Sequence, residues 1–387
     1  SVLHTSWHRG RAHTHTNAAH VIGLGADTMD GWTHRLRLPT LRDPRGAWMT
    51  FAAIFYVVGG IACSLYCYLH TGDLSAAALG GAVLLAAHSR SIAAWLVHEF
   101  AHSTLFLESE WNTAAGVAMM WLCGCPYVDF VHCKRIHIAH HKDRADTGSF
   151  DHQEDLRKLR APLLNAVYAL EYFYVPVVEC LVHARVALCP LGLYPLARRD
   201  PSTPMRITLT AFAGVIALLA LWSHLWIAGG VRAVALRAVE ACLMTHFHAI
   251  HDCFQHTYEV IADENWGTMY AHGPGERTAA YEEENTYSNL LSTRWPLLNL
   301  ASLNFGYHNA RHARMMTPWY ELPNLHARLY GVQQYSNRQV LPIRELLWSW
   351  HAHRLKRILH PDYGSVGNGP GRAKSFIGAM GVSFITA

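Results

Sequence analysis

The chain has 387 residues, of which 51% are hydrophobic and only 16% are charged, and it contains 13 Trp and 17 Tyr. This composition favours an integral membrane protein over a pair of ordinary soluble domains. The formal net charge of +4 is mild, and no basic tract is interleaved with aromatic residues, which excludes nucleic acid as a partner.

The N-terminal region, residues 1–45, is polar and rich in histidine but lacks the apolar core of a signal peptide. It is predicted to be a solvated, partly disordered arm. Four arginines near its end come directly before the first long apolar segment: Arg35, Arg37, Arg42 and Arg45.

Four apolar segments are predicted to span a bilayer as two helical hairpins. The first pair covers residues 47–69 and 74–97, and the second covers 207–228 and 231–250, with a turn at Gly229-Gly230. The arginine-rich segments lie on the same side of the predicted membrane as the histidine clusters. The positive-inside rule assigns that side to the cytoplasm.

The segments between and after the hairpins complete the prediction of an all-α integral membrane protein. Residues 113–126 are too short to span and predict a re-entrant or interfacial segment, and 162–184 predict an amphipathic interfacial helix. Residues 263–360 are polar and aromatic and predict a cytoplasmic cap. The membrane domain is predicted to cover 46–335, followed by a C-terminal helix and a loose Gly-rich tail over 336–387.

Two histidine clusters predict a metal site. His98 and His102 are spaced i and i+4, so on a helix their imidazoles lie on one face about 6 Å apart. His137, His140 and His141 place three more imidazoles on one side of a helical turn. Neutral imidazole is the commonest metal ligand, and these side chains outnumber the ligands of a single catalytic zinc. The alternative is a set of hydrogen-bonded histidines that bind no metal.

Further ligand candidates come after the last predicted span. The run 246–256 holds several imidazoles and a carboxylate; His256 is the first choice as a ligand, and His251 and Asp252 are additional candidates. A final cluster, His308-Asn309-Ala310-Arg311-His312, lies further along the chain.

The order of these clusters resembles the histidine boxes of the membrane fatty acid desaturase and hydroxylase superfamily. The boxes read HExxH, HxxHH, an extra His, and a late His-Asn-Ala-x-His. Supporting matches flank the second and third boxes: Arg135, residues 146–151 and residues 318–323. The resemblance covers roughly residues 45–335. In segments 252–259 and 282–289 the chain is most similar to a bacterial branch that includes alkene-forming fatty acid decarboxylases.

The resemblance implies a di-metal site of two iron ions in the histidine-rich cap, on the cytoplasmic face of a bacterial inner membrane, with O2 as co-substrate. It also implies a fatty acyl substrate and an external electron donor, a ferredoxin or similar carrier with its reductase. The nine cysteines form no iron–sulfur motif, so the electrons must come from another protein. Carried over residue by residue, the ligands are His98, His102, His137, His140, His141, His256, His308 and His312.

One residue departs from the family pattern. The middle histidine of the third box is Arg311 here, and a guanidinium has no lone pair for a metal. One iron is then expected to lack a ligand unless water, His251 or Asp252 replaces it. Three outcomes are open: a working site with an altered ligand set, a site that binds only one metal tightly, or an inactive relative.

Three residues are predicted to support catalysis beside the ligands. Glu99 is expected to orient a metal-bound histidine, with a plain charge on the helix face as the alternative. Asn304 and Asn309 are expected to support or complete the ligand shell. The resemblance favours desaturation of the acyl chain. The alternative is hydroxylation, or decarboxylation to a terminal alkene. A ligand set does not determine which step follows the first hydrogen abstraction.

Two functions of other classes are also compatible with single features. The match of residues 98–102 to HExxH fits a membrane zinc protease with Glu99 as general base. Such proteases add an Asn/Pro-rich segment ending in Leu-Asp-Gly, which this chain lacks. Arg311 also fits a degenerate, non-enzymatic relative that binds lipid.

Overall fold

The structure is a computed structural model, and it describes residues 38–148, 150, 152–258, 260–262, 277–331, 339–341, 343–360, 363–369 and 371–380. Most of the predicted N-terminal arm, up to residue 37, lies outside the described residues. So do residues 263–276 of the predicted cap and 381–387 of the tail. From Pro39 onward the chain forms one unit.

The described residues are mainly helical. The α-helices are α1 (Ala47–Leu69), α2 (Ala76–Ala101), α3 (Ser109–Cys123), α4 (Phe130–Asp143), α5 (His152–Arg157), α6 (Ala161–Tyr172), α7 (Val177–Leu188), α8 (Met205–Asp252), α9 (Ala279–Glu284), α10 (His308–Ala313), α11 (Leu322–Tyr330), α12 (Ile343–Ala352) and α13 (Arg354–Arg357). Short 3₁₀ turns cover Cys189–Leu191, Pro296–Ser302, Trp319–Glu321 and Arg372–Ser375. Two three-residue strands, β1 (Asp146–Gly148) and β2 (Val260–Ala262), pair in parallel, which the all-α prediction did not include.

Three helices among the described residues are long and apolar enough to cross a membrane: α1, α2 and α8. The bent pair α6 and α7 adds a fourth span if the two are counted together. α2 continues to Ala101, four residues beyond the predicted end of the second span, so the first histidine cluster lies in the last turn of a spanning helix. The predicted count of four separate spans stays a prediction.

Helix α8 is interrupted at Gly230 and folds back on itself. Gly230 has φ 67° and ψ −165°, a conformation that side chains with a Cβ avoid. The guanidinium of Arg237 lies 5.9 Å from the ring centroid of Trp222. In a straight helix, residues fifteen positions apart, such as Trp222 and Arg237, would be separated by about 22 Å along the axis. The two arms of α8 therefore lie side by side, with the break at the turn expected from the sequence.

Helix α2 lies at the centre of the bundle and contacts α1, α3, α4 and α8. Its residues 89–102 are all buried. Small side chains permit close packing: a Cβ on Gly60 of α1 would collide with the Ser89 hydroxyl. The outer faces of α1 and α8 are apolar, with Phe55 and Ile227 exposed by 80% and 81%. Such surfaces suit contact with lipid chains, as an integral membrane protein requires.

The charges on the second arm of α8 divide between the protein interior and the outer surface. Glu240 is buried and lies 2.5 Å from Arg90 Nε and 3.0 Å from Arg237 Nη1. The Tyr68 hydroxyl donates to the same carboxylate over 3.1 Å. Arg232 is exposed. This arrangement satisfies a carboxylate within the spanning region, where an unpaired charge is costly.

The described part of the C-terminal tail packs against the rest of the protein, so the prediction of a loose Gly-rich tail was wrong for those residues. Phe376 and Ile377 are buried beside α12. The Arg357 guanidinium donates to the Ile377 carbonyl over 2.6 Å. The few apolar side chains of this segment find a surface to pack against, and burial of that kind outweighs the flexibility of its glycines.

Candidate metal centre

The first two histidine boxes lie on two packed helices. His98 and His102 occupy the last turn of α2 and the residue that caps it. Asp129 caps the N-terminus of α4, and its side chain accepts a hydrogen bond from the backbone N–H of His132 over 2.7 Å. This start sets the helical phase that turns His137 and His141 toward α2.

Four imidazoles converge where these helices meet, and they are called group 1: His98, His102, His137 and His141. The Nε2 of His102 lies 3.3 Å from that of His98 and 2.9 Å from that of His137. The His137 and His141 Nε2 atoms are 3.3 Å apart. One nitrogen from each ring lies within 4.8 Å of all the others. Nitrogens bound at about 2.1 Å to one ion are separated by roughly 3 to 4 Å, so the group suits a single ion.

A second set of four imidazoles is assembled from three distant segments, and it is called group 2: His140, His256, His308 and His312. His140 comes from α4, and β1, which follows it, pairs with β2, which follows His256. α10 supplies the other two rings. The Nε2 atoms of His308 and His256 are 2.7 Å apart, and all four ligand atoms lie within 4.8 Å of one another.

The two groups share a boundary. His140 and His141 are neighbours on α4 and belong to different groups. The ring centroids of His141 and His312, one from each group, are 4.0 Å apart. The structure therefore brings all the carried-over histidines into two adjacent groups of four, each able to hold a metal ion.

The histidines of both groups are buried. Burial, reinforced by charges nearby, holds the pKa of four of them well below the ordinary 6.5: His137, His141, His256 and His308. Burial also lowers the pKa of His312 to about 4, although the hydrogen bond to Glu282 opposes the shift. Neutral imidazole is the form that binds metals, and converging lone pairs favour a cation between them.

Hydrogen bonds behind the rings fix the orientation of group 2. The Nδ1–H of His140 donates to the Ala145 carbonyl over 2.8 Å. His312 Nδ1 lies 3.0 Å from the Glu282 carboxylate, which also accepts from Arg144 over 2.9 Å. Burial pushes the pKa of Glu282 upward, but the hydrogen bonds from His312 and Arg144 outweigh it and lower that pKa. Such partners fix the tautomer and direction of a ligand histidine.

The role of Glu282 was not predicted from the sequence. It is the first of three consecutive glutamates, residues 282–284, and nothing in their spacing distinguishes it from its neighbours. Only its position next to His312 in the structure distinguishes Glu282 from the other two glutamates.

Glu99 is held in place by three donors. It pairs with Arg311 and accepts from the Thr104 hydroxyl and the Trp319 backbone N–H, each over 3.0 Å. Its carboxylate lies 3.7 Å from His98 Nδ1, next to a group 1 ring. This position suits orientation of that ring. A carboxylate so engaged is poorly placed as the general base of a zinc protease.

The remaining predicted ligand positions lie outside both groups. Arg311 turns away to Glu99, and each group holds four imidazoles without it. His251 packs its ring against Trp95, at a centroid distance of 5.5 Å. Asp252 is buried but belongs to neither group.

The two predicted asparagines make structural hydrogen bonds. The Asn309 amide donates to the Thr286 carbonyl over 2.8 Å, and its oxygen accepts from the Ser288 hydroxyl over 2.7 Å. These bonds attach α10 to the neighbouring segment. The Asn304 amide donates to the Trp319 carbonyl over 3.2 Å. Both residues therefore act on backbone that positions the rings rather than on the rings themselves.

A helical membrane protein with two adjacent polyhistidine groups belongs to the class of candidate di-metal membrane proteins. The family model for fatty acid desaturase matches residues 74–343, well over half of the chain. The chain therefore belongs to the fatty acid desaturase family, whose membership implies oxidoreductase activity. A search of curated proteins found no match.

Proposed function

We propose that this protein is an O2-dependent di-iron oxidoreductase that acts on an unactivated C–H bond of a fatty acyl chain, with desaturation as its reaction. The observation that carries the proposal is the pair of adjacent, buried, four-imidazole groups in a member of the desaturase family. Breaking a methylene C–H bond is beyond any side-chain acid or base, so a metal must supply the oxidising chemistry.

The donor set fits two iron ions. Imidazole suits iron as well as zinc, copper and nickel, and the family favours iron. Group 1 would hold one ion and group 2 the other. Bound there, two irons would activate O2 for hydrogen abstraction.

The protein's own contribution is to orient the rings and exclude water. The Phe305 ring lies 5.0 Å from that of His98 and 6.1 Å from that of Trp95, forming an apolar wall beside group 1. Water excluded at such a wall cannot compete with the acyl chain for the oxidant. Glu282 and Ala145 hold the rings of group 2 from behind.

The proposal includes the surroundings of the reaction. The acyl chain would reach the site from the bilayer between the spanning helices, with the metal site on the cytoplasmic side of a bacterial inner membrane. Electrons would come from a ferredoxin or similar carrier with its reductase. The arginines near the start of α1 support this orientation through the positive-inside rule.

Metal analysis of the full-length, detergent-purified protein after anaerobic iron loading tests the proposal. We expect about two irons per chain. His102→Gln in group 1 and His308→Gln in group 2 should each lower the iron content, whereas His224→Gln, an exposed residue of α8, should not. Zinc alone, or no bound metal, would refute the di-iron assignment.

Product analysis with a reductase system then identifies the reaction. An internal alkene supports desaturation, an alcohol would indicate hydroxylation, and a terminal alkene one carbon shorter would indicate decarboxylation. No oxidised product from an iron-loaded protein would favour a non-enzymatic, lipid-binding role.

A further inference from the structure

Arg311 and Glu99 form a buried ion pair between α10 and α2. Each of these helices carries two histidines of one group. Glu99 lies on α2 between His98 and His102 of group 1. Arg311 lies on α10 between His308 and His312 of group 2. The side chain of Glu99 is only 3% exposed and that of Arg311 only 2%. The pair therefore joins one ligand helix directly to the other.

Both members of the pair have further hydrogen-bond partners. The Glu99 carboxylate also accepts from Thr104 and from the backbone of Trp319. The Arg311 guanidinium also donates to the carbonyls of Met315, over 3.0 Å, and Thr317. These additional hydrogen bonds offset part of the cost of burying the two charges.

An arginine can make this link and a histidine cannot. The guanidinium presents several donors in a rigid fork on a long stem, so it reaches Glu99 and two carbonyls together. An imidazole has only two ring nitrogens on a short stem. Arg311 therefore provides a cross-link at a position where the family pattern has a histidine, while each group keeps four imidazoles.

We propose that the Arg311–Glu99 ion pair is a positioning element that holds group 2 in register with group 1, so that two metal ions bind as a pair. The two groups should depend on the pair to different degrees. The ligand-bearing part of α2 belongs to a long helix and is buried in the bundle, whereas α10 has only six residues. Loss of the pair should therefore weaken the ion in group 2 more than the ion in group 1. This inference rests on the proposed di-metal function.

Titration of the full-length, detergent-purified protein with Co²⁺ alone tests the positioning role without requiring iron or O2 chemistry. The natural protein should bind two ions per chain. Arg311→Gln should bind the first with natural affinity and the second about 10–100-fold more weakly. Arg311→Lys, which keeps the charge but loses the fork, should recover part of the second affinity. Arg314→Gln, an exposed arginine three residues away, is the matched control and should change neither.

The double variant Glu99→Gln/Arg311→Gln separates positioning from stability. It leaves no buried unpaired charge, so its thermal midpoint should recover relative to either single variant. Without the link, its second Co²⁺ should still bind weakly. Recovery of both quantities together would show that the pair only stabilises the fold, and would overturn the inference.

Three other results would also overturn it: natural binding of both ions by Arg311→Gln, equal weakening of both ions, or fewer than two Co²⁺ in the natural protein. Failure of the proposed function looks different. In that case the Co²⁺ pattern holds, but the iron-loaded protein oxidises no acyl chain.

Discussion

The chemistry of the centre is set by how each histidine ring is presented. A ligand ring must be neutral, must point one nitrogen inward and must use the other for a fixing contact. In group 2, Glu282 and the Ala145 carbonyl make such contacts with His312 and His140. The convergence of their ring nitrogens distinguishes the eight candidate ligands from the other described histidines of the chain.

Glu282→Gln should weaken metal binding by group 2 about 10–100-fold, because the neutral amide holds the His312 ring less firmly. An Fe²⁺ binding isotherm on the purified protein measures the change. Glu284→Gln removes the same charge from an exposed neighbour and should leave the isotherm unchanged. Equal affinities for the two variants would contradict the assigned role of Glu282.

His256 and His251 provide a second comparison between nearby residues. His256 belongs to group 2, whereas His251 packs against Trp95 outside both groups. His256→Gln should therefore reduce the iron content from about two per chain toward one, and His251→Gln should keep two. Iron loss in the His251 variant would restore it as a ligand and show that the apparent grouping is incomplete.

At the scale of elements, the break in α8 determines how the bundle closes. The fold-back at Gly230 brings the second arm against α1 and α2, where Glu240 meets Arg90, Arg237 and Tyr68. The same arm leads into His256. The turn at Gly230 therefore helps to position the segment that carries His256.

Gly230→Ala should destabilise the protein by about 1–3 kcal/mol, because a Cβ is strained at φ 67° and ψ −165°. Thermal unfolding in detergent measures this as a lowered midpoint. Gly59→Ala is the control: this helical glycine has open space around it, so the change should be neutral or stabilising by up to about 1 kcal/mol. An unchanged midpoint for Gly230→Ala would mean that α8 does not turn there.

At the scale of the whole molecule, the two groups tie together segments that are far apart in sequence. Group 1 joins α2 to α4, and group 2 joins α4, the segment after α8, and α10. Bound ions would act as cross-links between the spanning bundle and the cap.

Metal removal should therefore lower stability. An ion present at about 100 times its dissociation constant stabilises the folded state by about 2.7 kcal/mol. For two such ions we expect the thermal midpoint of the chelated protein to fall by roughly 5–10 °C and to recover on reloading. His102→Gln/His308→Gln should show a much smaller shift. If chelation leaves the thermal midpoint of the natural protein unchanged, the result would argue against a bound pair of metal ions.

Local spacing in the sequence was enough to predict the first two histidine clusters and the main helices. Histidines at i and i+4 indicate one helix face because of helical periodicity, and uncharged runs such as 47–69 indicate spans because of their length and hydrophobicity. The Gly229-Gly230 turn was recognisable because a glycine pair between two apolar runs marks a turn. His256 and the 308–312 cluster were candidates from their histidines, and the family resemblance joined them to the first two clusters as one set of eight ligands.

The tertiary structure alone decided how those residues are used. It divided the histidines between two groups, placed Glu282 behind His312, and turned Arg311 to Glu99. It also packed the Gly-rich tail around Phe376. These features depend on contacts between segments far apart in the chain, which periodicity and local propensity do not encode, because each contact forms only once burial has brought the helices together.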